Sequence, residues 1–485
     1  MQPNILTLGQ LKASGYQSQS IKQELRRNLI AALQAKTNPF PGILGFEDTV
    51  LPDLQRAILS RHNILLLGLR GQAKTRIARQ MINLLDEYIP IVEGSELNDD
   101  PLAPLSHYAK AQINLYGDDT PIAWLHRSER YVEKLATPDV TVADLIGDLD
   151  PIKAANQKLS YSDERSIHFG LIPRANRCIF VINELPDLQA RIQVALFNIL
   201  QEGDIQIRGF KLRLPLDLSF VFTANPEDYT NRGSIITPLK DRIESQILTH
   251  YPQSLAIAQQ ITAQEADLTE EQRQRVEVLP TASLLLERLA FAARKSEMVD
   301  EKSGVSARLS IAAYENLVST AERRSLLQGS ARTQTRLSDF QGILPAITGK
   351  MELVYEGEQE GPIGVAQKLL AQAIKETFLE LFPNPEKLKK NKKGQEERDP
   401  YGTVATWFAA GNVLELPLEA SEEEYRQLLD GVAGLERLVE KYKAPAEERY
   451  FYMELILHAL VEFEIIQKEL LAKQWSFKDP LAGFL

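Results

Sequence analysis

Cysteine is almost absent from this sequence: Cys178 is the single one among 485 residues. One thiol excludes an intramolecular disulfide framework and any multi-cysteine zinc site, and it fits a reducing compartment. Long apolar runs are missing too. No stretch approaches 18 uncharged apolar residues, so no membrane span is expected. The start of the chain, Met1 to Thr7, lacks a basic segment leading into an apolar one, so no signal peptide is expected. Basic excess is absent as well: 55 Lys+Arg face 66 Asp+Glu, a formal net charge of −11, which argues against a nucleic-acid substrate. The six histidines show no paired metal-ligand spacing, and Asp99, Asp100, Asp148 and Asp150 read as loop carboxylates. What remains is a soluble, cytoplasmic protein, and its length suggests about two to four domains. Its 44% hydrophobic content is enough to give each of them a core.

Along the chain, Ser20 and Gln23 have capping-box spacing, and Ile21, Leu25, Leu29 and Leu33 recur at helical intervals, which predicts an N-terminal helical arm over 1–37. From 38 to 250, short apolar runs at 64–67, 178–182, 218–223 and 246–248 alternate with helical stretches. That alternation predicts an α/β core with a mainly parallel sheet. Residues 251–350 read as helical, with clear helical segments at 284–290 and 309–326. A mainly helical region is expected over 351–485, interrupted by the charged run 387–398, which reads as a solvated linker. Within it, 447–473 carries the spacing of one packed helix.

The strongest local signal is Gly68, Leu69, Arg70, Gly71, Gln72, Ala73, Lys74 and Thr75, placed between the apolar run 63–67 and a helix beginning near Arg76. Strand, loop and helix in that order are what a phosphate-binding loop requires. Its backbone N–H groups can cradle phosphate oxygens, Lys74 can set a positive charge against the β- and γ-phosphates of ATP, and Thr75 can offer a hydroxyl to Mg²⁺. Ala73 stands where glycine is usual and resists a positive φ; alone, the segment also fits an ordinary strand-to-helix turn. A second signal is the buried-strand pattern 178–182 ending in Asn183 and Glu184. Asn183 can give Mg²⁺ an oxygen without charge, and Glu184 can orient and polarise an attacking water. The same pair also fits a solvent-facing strand end. A hairpin is predicted around Arg208 and Gly209, followed by a strand ending at Asn225 and Pro226, where Asn225 is either a water-positioning group or a turn residue.

In their order, these motifs resemble AAA+ ATPases of the helix-2-insert group, in particular the magnesium chelatase ATPase subunit and MoxR-like ATPases. The resemblance spans about residues 38–330. It rests on Gly45 and Phe46, the loop 68–75, the segments 145–151 and 169–177, Asn183 and Glu184, Asn225 and Pro226, 239–242 and 304–308. It implies an αβα phosphate-loop core with a helical lid, and an insert between Asp148 and Gly170. By that resemblance Asn225 is a sensor residue, and Arg242 an arginine finger offered to a neighbouring subunit, with Arg232 as the competing choice. Arg308 is a second sensor arginine. Always charged and planar, arginine suits such roles at developing phosphate charge.

The resemblance further implies ATP and Mg²⁺ as cofactors, a homo-oligomeric ring, and remodelling of a protein partner, with a von Willebrand factor A domain protein as the leading guess. Two alternatives stay open. Asn183 lacks an anionic metal ligand, which suits a nucleotide-dependent scaffold with weak or no hydrolysis. A true magnesium chelatase subunit is the other, weakened by the unfamiliar region after 351.

Overall fold

The computed structural model describes residues 4–156, 158, 163–207, 213–226, 233–390 and 399–480. The chain divides into two compact units, Met1–His250 and Tyr251–Leu485.

The first unit is built on five parallel strands: β1 (Ile64–Leu67), β2 (Tyr131–Leu135), β3 (Cys178–Asn183), β4 (Leu218–Ala224) and β5 (Ser245–Leu248). Their spatial order is β5-β1-β4-β3-β2. Every pairing is parallel, with Leu67 opposite both Ala224 and Leu248, Ile182 opposite Phe222, and Asn183 opposite Leu135. All strand ends that carry functional candidates therefore lie along one edge, where α/β sheets bind ligands.

Both faces of the sheet are covered. Ile64 and Leu66 of β1, with Ile179 and Val181 of β3, belong to a core completed by α1 (Ile21–Gln34) and α2 (Val50–Leu59). The alternate residues Leu65, Leu67, Phe180 and Ile182 belong to a second core on the opposite face. Strands buried on both sides explain the mainly apolar runs in the sequence.

The capping box of α1 forms, with Ser20 accepting from the Gln23 backbone and Gln23 reaching back to Ser20. Ile21, Leu25 and Leu29 are buried in the same core as β1, so α1 packs as part of this unit rather than as an arm. A buried ion pair fixes it there. Arg130 donates to both Glu24 carboxylate oxygens at 2.7 Å, and its Nε donates to the Arg177 carbonyl at 3.0 Å. Cys178 opens β3, and burial pushes its thiol up to about 12, which leaves it inert as a nucleophile.

Three features were not expected from the sequence. β2 interrupts its apolar character with Glu133 and Lys134, as edge strands do. Tyr88–Val92 and Ile122–His126 pair antiparallel in a separate two-stranded sheet, with the helix His107–Tyr116 between them in the chain. The insert implied between Asp148 and Gly170 is closed at its base by a strand pair, Gly147–Leu149 antiparallel with Ile167–Phe169, and the chain between includes the short helix Pro151–Asn156. Strands Asp204–Gln206 and Arg213–Pro215 pair antiparallel as predicted; Arg208 and Gly209, between them, lie outside the described residues.

In the second unit, one apolar core runs from Leu279 to Phe477, drawing on residues both before and after position 350. Its main helices are α6 (Pro280–Lys295), α7 (Arg308–Leu327), α8 (Pro362–Leu381) and α9 (Arg449–Glu462). The single helix expected over 447–473 is corrected. α9 ends at Glu462, Glu464 turns left-handed at φ 56°, and Gln467–Leu471 pairs antiparallel with Gln474–Lys478. Trp475 and Phe477 alternate along the second strand and are buried, a period of two that outweighs the helical spacing before it. Leu414–Pro417 adds a third strand. Most of the charged run after Lys387 lies outside the described residues.

Among the described residues, no helix is long and apolar enough to cross a membrane.

Candidate functional site

The loop 68–75 leaves the carboxyl end of β1 and enters α3 (Lys74–Gln80), which runs on directly into a 3-10 turn, Met81–Leu84. Ile77 and Ala78 bury one face of α3 against the core shared with α1 and α2, so the base of the loop is fixed from below. Its first residue is held by the Gly68 N–H donating to the Ala224 carbonyl of β4 at 3.1 Å. A Cβ at Gly68 would collide with the Thr249 hydroxyl and the Gln72 side-chain oxygen, so only glycine fits there.

Thr249 stands just beyond β5. Its N–H donates to the Leu67 carbonyl at 2.8 Å, and its hydroxyl donates to Gln72 Oε1 at 2.7 Å. Gln72 is buried. Thr249 thus ties the middle of the loop to the neighbouring strand. The sequence reading did not single it out, although a polar residue at the end of an apolar strand is a usable signal.

Lys74 is 7% exposed and folds back over the loop: Nζ donates to the Gly68 carbonyl at 2.5 Å and the Leu69 carbonyl at 2.9 Å. A buried ammonium gathered by the loop's own carbonyls places positive charge where phosphate oxygens would approach. Thr75, half-buried, follows it in the first turn of α3. Gly71 has φ 74°, and Ala73 has φ 55° and ψ 14°. The alanine therefore does adopt the left-handed conformation that its Cβ opposes. That costs about 1–2 kcal/mol, against which glycine would lose about 0.5–1 kcal/mol more chain entropy. Ala73→Gly is accordingly expected to stabilise the first unit by roughly 0.5–1 kcal/mol. Thermal denaturation checks this, with a lower midpoint as the contrary outcome.

Two strands away, β3 delivers Asn183 and Glu184. Asn183 is buried between its neighbours: Nδ2 donates to Glu133 Oε1 of β2 at 2.5 Å, and Oδ1 accepts from Thr223 of β4 at 3.1 Å. Glu184 is half-buried and left-handed at φ 54°, ψ 52°, and its N–H donates to Thr223 Oγ1 at 3.1 Å. A strained, non-glycine residue held at a strand end is a common mark of a functional position. Asn225 directly follows Ala224, the partner of Leu67, and is buried. Glu133 and Thr223 are the residues sequence reasoning missed here; β2 was not foreseen, and Thr223 was counted only as strand.

The described residues hold no cluster of three or more His, Cys, Asp or Glu that could bind a metal ion. The oxygen donors at this edge, the Thr75 hydroxyl, the Asn183 amide oxygen and the Glu184 carboxylate, are hard ligands suited to Mg²⁺. They are too few for a protein cage, which fits a cation brought in with phosphates and keeping several waters.

The arginines are distributed differently. Arg242 follows α5 (Thr237–Lys240) and docks on α4 (Phe197–Glu202): it donates to Gln201 Oε1 from Nε at 3.2 Å and Nη2 at 3.0 Å, and to the Pro238 carbonyl at 2.7 Å. Its guanidinium lies 4.9 Å from the Phe197 ring centre. None of these partners belongs to the loop. Arg308 opens α7 in the second unit and is exposed. Arg232 lies outside the described residues.

No protein-family model matches the chain, and no curated protein matches it. Solved structures show partial likeness. A magnesium chelatase complex of subunits BchI and BchD is 20% identical over 66% of this chain and 98% of that one, with a TM-score of 0.34. NtrX from Brucella abortus is 13% identical over 60% of this chain, with a TM-score of 0.34. Hsp104 in complex with ATPγS and casein is 12% identical over 64% of this chain, also at 0.34. The chain spans 55% of the NtrX chain and 49% of the Hsp104 chain.

Proposed function

We propose that this protein binds ATP with Mg²⁺ at the loop 68–75 and hydrolyses it, as an AAA+ ATPase of the kind its motifs resemble. The observation that carries the proposal is the meeting, on one sheet edge, of a lysine-bearing loop with Glu184. Backbone N–H groups of the loop and the Lys74 ammonium hold the phosphates. Thr75 and Asn183 would hold the cation, which, when bound, would neutralise phosphate charge. Glu184 takes the proton of the attacking water or orients it, and Asn225 fixes that water from β4.

In a homo-oligomeric ring, Arg242 reaches the nucleotide of a neighbouring subunit and Arg308 acts as a sensor. The work of hydrolysis is spent on a protein partner, with a von Willebrand factor A domain protein as the first candidate, in the cytoplasm.

A weakly hydrolysing scaffold is the competing reading, favoured by the neutral amide at Asn183. A multiple-turnover assay of phosphate release, with ATP and excess Mg²⁺, separates the two. Sustained turnover is expected. Saturable binding without turnover selects the scaffold.

A further inference from the structure

We propose that Glu133, on the edge strand β2, is the positioning residue for the cation side of this site, and that it is the reason an amide occupies position 183. The proposal rests on the nucleotide reading above. Glu133 is 22% exposed, and both of its oxygens are used. Oε1 accepts from Asn183 Nδ2 at 2.5 Å, while Oε2 accepts from Arg79 Nε at 3.0 Å and from the Tyr131 hydroxyl at 3.1 Å. Arg79 lies on α3, about one helical turn beyond Thr75. A continuous run of hydrogen bonds therefore leads from the phosphate-loop helix through Arg79, Glu133, Asn183 and Thr223 to the backbone N–H of Glu184.

Charge decides how Asn183 sits in that run. An ionised carboxylate only accepts hydrogen bonds, so the NH₂ of Asn183 must face Glu133 and its oxygen must face away. The flipped amide would set oxygen against oxygen. Oδ1 takes one bond from Thr223 and keeps a second lone pair, the acceptor it can offer to a water on the cation. Aspartate at position 183 would instead bring two carboxylates to hydrogen-bond distance with no donor between them. The acidic charge of this strand end sits one strand over, on residue 133 rather than on residue 183.

Transposing the charge back tests this. Glu133→Gln leaves the end neutral, Asn183→Asp doubles its charge, and the two together restore one charge with the glutamine amide donating to the aspartate. The full chain is titrated with a fluorescent, non-hydrolysable ATP analogue, in excess Mg²⁺ and in EDTA. The readout is the ratio of the two dissociation constants. Each single variant is expected to lose about tenfold in that ratio, equivalent to one charge-assisted hydrogen bond, and the double variant to recover most of it. Glu133→Asp, which keeps the charge on a shorter stem, is expected to retain more than Glu133→Gln. Melting midpoints of all four variants identify any that fail to fold. Asn183→Asp alone matching or exceeding the wild type, or a ratio indifferent to residue 133, overturns the proposal and leaves nucleotide binding standing. No binding of the analogue by the wild type overturns both.

Discussion

Replacing Arg130 with methionine is expected to destabilise the first unit by about 3–5 kcal/mol, the largest stability effect of any substitution considered. Arg130 is 1% exposed and Glu24 4%. Their two parallel hydrogen bonds at 2.7 Å join α1 to the start of β2. Taking two charges out of water is costly, so the pair adds little net stability while intact. Removing one partner leaves the other buried and uncompensated, which is where the large effect arises. Glu24 would keep only its bond from the Asp86 N–H, at 2.7 Å. Pairing Arg130→Met with Glu24→Leu removes both charges and should be less destabilising than Arg130→Met alone. Recovery stays partial, because the bonds to Asp86 and to the Arg177 carbonyl are still lost. Urea unfolding, with hydrogen exchange of the β2 and β3 amides to localise the change, measures the series. A single variant within about 1 kcal/mol of the wild type contradicts this account of how α1 is anchored.

Legibility of the sequence followed burial. β1, β3 and β4 are covered on both faces, so each is written as a mainly apolar run, broken in β4 only by the buried Ser219 and Thr223, and the predicted and observed limits nearly coincide. β2 lies at the sheet edge, where Glu133 and Lys134 break the pattern, and it left no comparable trace. The loop 68–75 was readable because a phosphate-type loop needs glycine and lysine at fixed offsets within one stretch of chain. The contacts around Asn183 were not readable, since Glu133, Asn183 and Thr223 come from three strands and meet only through sheet register. The sequence showed a neutral amide at position 183, and the structure places the Glu133 carboxylate of the next strand against it. At the end of the second unit, the helical spacing after residue 447 hid the strand Gln467–Leu471, whose half-buried and exposed side chains carry no apolar alternation. Ala73 adopts the left-handed turn against its own preference, and the strain is carried.

The second large effect separates binding from chemistry. Glu184→Gln removes the carboxylate that would accept or orient the proton of the attacking water while keeping size and most hydrogen bonding. Turnover should fall by about 10²–10⁴-fold, the range for loss of a positioned general base. Nucleotide affinity should be nearly unchanged, because the loop, Lys74 and Thr75 are intact. Lys74→Ala acts earlier. It takes away the buried ammonium held by the Gly68 and Leu69 carbonyls, and with it the charge proposed to meet the phosphates.

The most direct test measures Mg²⁺-ATP binding and steady-state hydrolysis side by side for the wild type, Lys74→Ala and Glu184→Gln. Binding and turnover are expected in the wild type, neither in Lys74→Ala, and binding without turnover in Glu184→Gln. Hydrolysis by Lys74→Ala at the wild-type rate would contradict the assignment of the loop 68–75 as the nucleotide site.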